Sequence, residues 1–381
     1  MLIGIVAVVI FLVILILVHE IGHFLAAKKF GFLVEEFGIG LPPRIWGKKI
    51  GETVYSVNAL PFGGFVKIFG EDMDETNFVE VRFLDKKEIP EKIELAKRCL
   101  VNKPKYQQAL VMFAGIFANF LLAWFLFSFG FMSGLPTSVG SEPRGYELKN
   151  VHLVVVSVLE KSPAELAGLK SGDKIISLQS DKDSISEITP DNLKTFIVSH
   201  PEKEIEIGYL RGKTEEINIA KIIPVAGIAD GKPGIGIAMD KIGIAKLPVL
   251  KAFWEGIKLD WNVTKGTAVG LYRLIADGIQ GKGSFSSITG PVGMVGIVGD
   301  AYNFGIAYLL SFTALISVNL AIINLIPFPA LDGGRLLFLL IEKIKGSRIN
   351  PKFANMTNMV GFALLIILML LVTYHDIVKL F

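Results

Sequence analysis

The chain has 381 residues, of which 51% are hydrophobic and only 20% are charged, and its mean hydropathy is +0.53. Soluble domains carry about 25% charged residues, so this composition argues against an ordinary soluble protein. The formal net charge of +3 is too small to indicate nucleic-acid binding. A single cysteine, Cys99, excludes an internal disulfide framework and any metal site built on paired cysteines.

Four apolar stretches are long enough to cross a hydrocarbon core, which needs about 20 mostly apolar residues. They predict a polytopic α-helical membrane protein with transmembrane helices in residues 1–28, 106–136, 305–345 and 356–377. The first stretch lacks a basic start and a small-residue cleavage site. We therefore expect it to be a membrane span and not a removable signal peptide.

Residues 29–105, between the first two spans, contain a segment of strand-forming composition. Thr53–Val57 and Gly64–Ile68 are separated by Pro61–Gly64, a pattern that predicts a β-hairpin. The segment is unusually apolar, so we expect it to be re-entrant or membrane-associated. Protein or a water-filled cavity must then cover its edges.

Two further regions lie between the second and third spans. Residues 140–225 are polar with short β-like runs, and they predict one small β-rich domain. Residues 226–300 predict a linker followed by an amphipathic helix, which we expect to support the protein at the membrane surface.

Basic residues set the expected orientation, because short cytoplasmic loops carry an excess of Lys and Arg. Such residues cluster between spans one and two and between spans three and four. Both loops are then cytoplasmic, and the β-rich domain is extracytoplasmic. We expect a multi-pass protein of a cytoplasmic (inner) membrane.

The end of the first span carries the motif His19-Glu20-Ile21-Gly22-His23. Residues four apart share a helix face, so His19 and His23 can both bind one zinc ion. Glu20 lies beside them and can take a proton from a water that the zinc activates. Three ionisable residues within five positions of a membrane helix are costly and indicate a function. The alternative is a polar patch packed between helices without metal.

Catalytic zinc sites commonly have three protein ligands and one open position. The remaining histidines, His152, His200 and His375, lie in the β-rich domain or near the C-terminus and are poor candidates. Asp332 follows a helix-breaking Pro-x-Pro segment and precedes two glycines. We expect it to be the third ligand; the alternative is that it caps the helix that follows.

These two motifs together resemble the site-2 protease family of intramembrane zinc metalloproteases. The resemblance rests on His-Glu-x-x-His in span one and on the stretch at residues 324–334, Asn-Leu-Ile-Pro-Phe-Pro-Ala-Leu-Asp-Gly-Gly. It is greatest to the bacterial branch that includes the regulator-of-sigma-E protease. Residues 162–175 are similar to the most recognisable stretch of a PDZ domain, and residues 290–293, Gly-Pro-Val-Gly, match a family element.

The resemblance implies that His19, His23 and Asp332 bind Zn²⁺ and that Glu20 is the catalytic base. It further implies that Asn324 contacts the substrate backbone. The second span departs from the family pattern, because Gly115-Ile116-Phe117-Ala118-Asn119 lacks the usual proline. A role for Asn119 stays open, and only one PDZ-like domain is predicted.

The predicted function is a metalloendopeptidase that hydrolyses peptide bonds in or near transmembrane segments during regulated intramembrane proteolysis. The resemblance implies substrates already cut once by another protease, such as anti-sigma factors, or remnant signal peptides. One alternative is a catalytically inactive membrane scaffold with a PDZ domain and a structural metal site, but such a site does not need Glu20. A transporter is the other, but the chain lacks the internal repeats of transporters.

Overall fold

A computed structural model describes residues 2–71, 90–281, 290, 293 and 305–378, apart from residues 160, 182, 186, 213, 215, 230 and 231. The backbone forms two compact units. The first comprises Met1–Phe125, Lys258–Val298 and Thr313–Phe381, and the second comprises Leu126–Ile257 and Gly299–Phe312.

Within the described residues, four helices are long and apolar enough to span a membrane, which confirms the predicted number of candidate spans. They are α1, α3, α7 and α9. In chain order the helices are α1 (Leu2–Lys29), α2 (Pro90–Arg98), α3 (Lys105–Ser133), α4 (Pro163–Leu166), α5 (Pro190–Ser199), α6 (Val249–Ile279), α7 (Ile306–Leu325), α8 (Asp332–Lys345) and α9 (Pro351–Val378), with a 3-10 turn at Leu100–Asn102.

Helix ends in the first unit follow local sequence signals. Helix α1 ends at Lys28 and Lys29, whose positive charges suit the negative end of the helix dipole. Helix α8 ends at Gly346, which has a φ of 71° and donates its N–H to the carbonyl of Glu342. Helix α7 ends shortly before Pro327, since a proline disfavours helical backbone in the residue that precedes it.

A two-stranded antiparallel ribbon follows α1, made of β1 (Val34–Ile50) and β2 (Thr53–Ile68). The connecting turn includes Gly51, with a φ of +64°. The ribbon folds back on itself, so that Phe37 is paired with both Val66 and Tyr55. The buried side of the ribbon packs with α1 and α3 in one core, formed by Ala27, Phe32, Val34, Phe37, Val66, Ile68, Leu100, Val111 and Met112.

The prediction of a hairpin within residues 52–69 was wrong in its pairing, because residues 54–57 and 64–68 lie on opposite edges of β1 and do not pair with each other. Thr53–Val57 and Gly64–Ile68 belong to the same strand, β2, and their partner is β1. The prolines and glycines of β1 hide its strand pattern, because both residue types normally mark turns or edges. Here the ladder interrupts its register around Pro42-Pro43, between the pairs Leu41↔Leu60 and Arg44↔Asn58.

The second unit contains an antiparallel sheet whose strands run in the order β3-β11-β4-β5-β7-β8, with β6 beside β5. A separate pair is formed by β9 and β10. The strands are β3 (Leu135–Ser138), β4 (Lys149–Val158), β5 (Lys174–Ser180), β6 (Asp183–Ser184), β7 (Ile205–Leu210), β8 (Ile217–Ile222), β9 (Val225–Ala229), β10 (Lys232–Gly234) and β11 (Ile237–Ala245).

The sheet extends past residue 225, where we expected the β-rich domain to end. Strand β11 pairs with β4 on one side and, through residues 242–245, with β3 on the other. Residues 237–245 therefore belong to the sheet and not to a linker. This strand was not predicted from the sequence because Asp240, Lys241 and Gly243 interrupt its apolar pattern.

The core of this unit is apolar and includes a buried ion pair. Leu193, Phe196 and Ile197 of α5 pack against the sheet. Asp173 is fully buried and accepts hydrogen bonds from Nε and a terminal nitrogen of Arg211, both at 2.7 Å. It also accepts a bond of 2.8 Å from the N–H of Lys170, so the buried charge is fully satisfied.

Candidate metal centre

Helix α1 brings the two motif histidines to one face. His19 and His23 are each only 7% exposed, and their Nε2 atoms lie 3.1 Å apart. The spacing of four residues produces this arrangement, since side chains at i and i+4 lie one above the other on a helix. The rings meet edge to face, with centroids 4.7 Å apart.

Asp332 joins them from the first residue of α8. Its Oδ2 atom lies 3.1 Å from Nε2 of His19 and 3.2 Å from Nε2 of His23. Leu331 occupies the N-cap position of α8, so Asp332 is not the capping residue that the alternative interpretation required. Its position at the helix N-terminus nonetheless favours a negative charge.

The donor set fits a zinc ion. The Oδ2 atom of Asp332 is buried and makes no hydrogen bond in the described part of the chain. It faces two imidazole nitrogens, and the three atoms form a triangle with sides of 3.1–3.2 Å. A tetrahedral zinc with bonds of about 2.0–2.1 Å keeps its ligand atoms about 3.3 Å apart. Three acceptors that converge in this way repel one another unless a cation lies between them.

Helix α3 fixes the opposite side of both imidazoles. Nδ1 of His23 lies 2.8 Å from the backbone oxygen of Val111, so Nδ1 carries the proton and Nε2 is left to bind metal. Nδ1 of His19 lies 3.2 Å from the side-chain nitrogen of Asn119. Outer contacts of this kind orient the ligands of metal sites and raise their basicity.

Asn119 is fully buried, and its side-chain oxygen has no partner in the described residues. A rotation of the amide by 180° exchanges its oxygen and nitrogen without changing its shape. The oxygen then accepts the proton on Nδ1 of His19, which is the arrangement that metal binding through Nε2 requires. The backbone oxygen of Asn119 accepts a hydrogen bond of 2.8 Å from Ser317 of α7.

Glycines allow the close packing that positions these ligands. A methyl group on Gly115 of α3 would overlap the ring of His23, and one on Gly22 of α1 would overlap the backbone of Ala114. Gly333 and Gly334 serve α8 in the same way, because a methyl group on either would overlap the carbonyls of residues 325–328. Asp332 can therefore approach α1 closely.

The three candidate ligands line a cavity of about 430 Å³. Glu20 and Asn324 line the same cavity, as do Gly64 and Phe65 of β2. A Cβ atom on Gly64 would lie 3.2 Å from Cγ of Glu20, so the ribbon passes directly beside the predicted base. All five predicted site residues, His19, Glu20, His23, Asn324 and Asp332, thus face one space.

Sequence interpretation left open or missed two residues of this site. It assigned Asn119 no role, and it noted Gly115 only as part of a variant motif. A glycine or a buried amide in a membrane helix signals close packing or a polar partner, but it does not identify which partner. His152 and His200 lie in the second unit, and His375 lies near the end of α9. Among the described residues, only His19, His23 and Asp332 form a cluster suited to a metal ion.

Of the Gly290–Gly293 element, Pro291 and Val292 lie outside the described residues. The two glycines each donate a backbone N–H to the buried carboxylate of Asp376, at 3.2 Å and 2.9 Å. Asp376 at the end of α9 therefore anchors this element.

A helix-borne His-Glu-x-x-His completed by an aspartate from a second helix is the donor set of a zinc-dependent peptidase. Residues 7–368 match the family model described as "Peptidase family M50". The chain belongs to this family, which comprises the site-2 proteases. A protein of Clostridium perfringens named "Putative zinc metalloprotease" is 34% identical over 96% of this chain and 95% of its own length.

Two further relatives have similar coverage. The zinc metalloprotease RasP of Geobacillus kaustophilus and the regulator of sigma-W protease RasP of Bacillus subtilis are each 30% identical, over 96% of both chains. The family and these names confirm the predictions of a metalloendopeptidase and of Zn²⁺ as its cofactor.

A solved structure of the PDZ domain of an SdrC-like protein from Listeria monocytogenes is 25% identical to this chain. It covers 25% of this chain and 93% of its own length, with a TM-score of 0.20. A score this low carries no argument, and the PDZ-like character of the second unit stays a prediction.

Proposed function

We propose that this protein is an intramembrane zinc endopeptidase that hydrolyses peptide bonds in or near transmembrane segments of other membrane proteins. The observation that carries the proposal is the convergence of His19, His23 and Asp332 beside Glu20, in a cavity that a β-strand also lines. The motif helix and three more helices are apolar enough to span a membrane.

The residues have distinct roles in this mechanism. Zn²⁺, when held by His19, His23 and Asp332, acts as a Lewis acid and lowers the pKa of water. Glu20 accepts a proton from the attacking water and delivers it to the departing nitrogen. Val111 and Asn119 hold the imidazoles in the tautomer that leaves both Nε2 atoms available.

The ribbon provides a way to hold an unwound substrate. Peptide bonds in a helix are already hydrogen-bonded, so the substrate must become extended before cleavage. Residues 63–66 of β2 line the catalytic cavity, whereas residues 54–57 lie on the other side of β1. We infer that the substrate adds as a strand along residues 64–68.

The strand-addition step can be tested with paired proline substitutions. Alternate N–H groups point to opposite edges of a strand, so Phe65→Pro and Val66→Pro remove donors from different edges. The variant that loses the donor facing the cavity should lose cleavage while keeping its zinc. Unchanged cleavage in both variants would exclude the pairing.

We further propose substrates of the kind cut once before by another protease, either membrane-anchored regulators of sigma factors or remnant signal peptides. The name of the Bacillus subtilis relative supports the first class. The second unit would screen such substrates outside the cytoplasm as a PDZ-like domain, with the active site towards the cytoplasmic side. Clusters of Lys and Arg in the loops of the first unit support this orientation.

The decisive experiment compares the purified protein with Glu20→Gln in detergent. Wild type should cleave a membrane-spanning substrate, and Glu20→Gln should bind the same amount of zinc without cleavage. Glu216→Gln, at an exposed glutamate of the second unit, is the matched control and should cleave normally. Equal cleavage by wild type and Glu20→Gln, or none by either despite full zinc occupancy, would favour the inactive scaffold with a structural metal site.

A further inference from the structure

A second cavity, of about 450 Å³, adjoins the catalytic cavity within the first unit. Glu71, Met112 and Arg335 line both. The rest of the second cavity is lined mainly by the first turns of α3, the body of α8 and the start of α9. We call it the α3–α8–α9 cavity. The chemistry described so far does not use it.

The lining residues show in which direction the α3–α8–α9 cavity runs along the helices. On α3 the metal site uses Val111 and Asn119, whereas this cavity uses Lys105 and Gln108, nearer the start of the helix. On α8 its lining runs from Arg335 to Glu342, about 10 Å at 1.5 Å per residue. The cavity therefore leads from the catalytic cavity towards the helix ends that carry the basic loops.

The walls combine apolar surface with paired charges. Met112, Phe338 and Leu339 contribute apolar side chains. The buried carboxylate of Glu342 is paired with Lys105, so its charge is compensated. Where the two cavities meet, Arg335 is paired with Glu71, and both side chains are partly accessible.

The position of Arg335 suits a carboxylate ligand. A guanidinium group presents a planar fork of donors that matches a carboxylate, and it already binds one here. Hydrolysis breaks the peptide C–N bond, transfers the water oxygen to the carbonyl carbon and places a proton on the departing nitrogen. Each turnover therefore creates one carboxylate and one amine in the catalytic cavity, which Arg335 also lines.

We propose that the α3–α8–α9 cavity is the exit site for the cleavage fragment that carries the new α-carboxylate. Arg335 exchanges the carboxylate of Glu71 for that of the product, and the apolar walls receive the residues that precede it. The proposal rests on the proposed peptidase function. Its occupant is an apolar peptide with a free C-terminal carboxylate.

The test measures binding without turnover. The full-length Glu20→Gln protein, loaded with zinc in detergent, is titrated into a fluorescent hexapeptide of Leu and Ala, prepared as the free acid and as the C-terminal amide. Fluorescence anisotropy should give about tenfold tighter binding of the acid, the scale of one charge-assisted hydrogen bond.

Two substitutions in that background should act in opposite directions. Arg335→Gln should remove the preference for the acid, because the cationic fork is lost. Glu71→Gln should tighten binding of the acid about tenfold, because it removes a carboxylate that competes for Arg335. A folding defect cannot tighten binding, so Glu71→Gln keeps the proposal testable if Arg335→Gln is unstable.

A matched pair on α8 tests the cavity itself. Leu339 lines the α3–α8–α9 cavity, and its neighbour Leu340 is exposed and does not. Leu339→Trp should weaken binding of both peptides at least tenfold, and Leu340→Trp should leave it unchanged.

Three results would overturn the exit site: equal binding of acid and amide, an unchanged affinity for the acid in Glu71→Gln, or a preference that survives Arg335→Gln. The last would assign the carboxylate to the metal site. Because these measurements need no cleavage, their failure is distinct from failure of the peptidase function, which the comparison of wild type with Glu20→Gln decides.

Discussion

Each compact unit contains an aspartate carboxylate that the protein shields from water, Asp173 in the second unit and Asp332 in the first, and the two carboxylates are satisfied in opposite ways. Asp173 in the second unit is fully buried and accepts three hydrogen bonds, two of them from Arg211. Asp332 in the first unit directs Oδ2 at two imidazole nitrogens, and that atom has no hydrogen-bond partner among the described residues.

The difference separates a structural group from a functional one. A buried charge that protein groups neutralise contributes to a unique fold and needs nothing further. A buried acceptor without a donor is unfavourable until a ligand satisfies it. The unsatisfied Oδ2 atom of Asp332 therefore lowers the stability of the metal-free first unit and leaves this carboxylate available for a cation. Asp173 has no such effect in the second unit.

The largest expected effect is at Asp332. Asp332→Asn removes the anionic ligand, so the protein should lose zinc and all measurable cleavage. The metal-free variant should be at least as stable as metal-free wild type, because an amide can donate to an imidazole and relieves the convergence of acceptors. Elemental analysis and thermal unfolding with a chelator measure the two effects. Full zinc occupancy in Asp332→Asn would refute its assignment as a ligand.

Arg211→Gln makes the opposite change in the second unit. It leaves Asp173 charged and buried without its partner, and the free energy of unfolding of that unit should fall by about 3–5 kcal/mol. Zinc content should not change. Lys221→Gln, which removes an exposed ion pair with Glu204 and Glu206, is the control and should leave unfolding unaltered. Limited proteolysis distinguishes the variants, and equal resistance would show that Asp173 does not need Arg211.

Asn119 should have a smaller effect, because it acts on the metal through His19. Asn119→Leu keeps the volume and removes the acceptor, so zinc affinity should fall about 10–100-fold, as for other outer-shell contacts. Asn119→Asp restores an acceptor for Nδ1 of His19 and should recover most of the affinity. Competition with a chromogenic chelator gives both values. A loss of affinity of equal size in both variants would point to general disruption of the helix packing.

The candidate ligands could be named from the sequence more readily than the residues that support them. His19, His23 and Asp332 could be assigned because zinc chemistry restricts the residue types and because charged residues are rare in membrane spans. Gly115 and Asn119 are common residue types whose meaning depends on which helix faces them. That information lies in tertiary packing and not in local spacing.

The same limit explains the errors in the β-structure. The pairing was misplaced because the turn chemistry of Pro61-Phe62-Gly63-Gly64 suggests that the flanking segments pair directly with each other, yet both pair with β1, which lies between them. Strand β11 was missed because its pairing with β4 joins segments about 85 residues apart, which no local pattern reports. The four apolar spans were predictable because length and composition alone define them.

Glu52 is a surface carboxylate that can be compared with the two buried ones. Its substitution should have the smallest effect on stability. It lies at the ribbon turn and accepts from Lys28 at 2.6 Å and from Arg98 at 2.7 Å. These partners lower the pKa of Glu52 from 4.5 to about 2. The side chain is 37% exposed, so solvent screening reduces the contribution to about 1 kcal/mol or less.

The sign of the pH dependence follows from the lowered pKa. The stabilisation by Glu52 is complete above pH 4.5, its ordinary value, and is lost as the pH falls towards 2. Wild type should therefore melt slightly above Glu52→Gln at pH 6, and the difference should shrink below pH 4 and at high salt. A difference that stays undiminished below pH 2 would mean that Glu52 acts through packing, as a neutral side chain would, and the distinction between surface and buried carboxylates would not hold at this position.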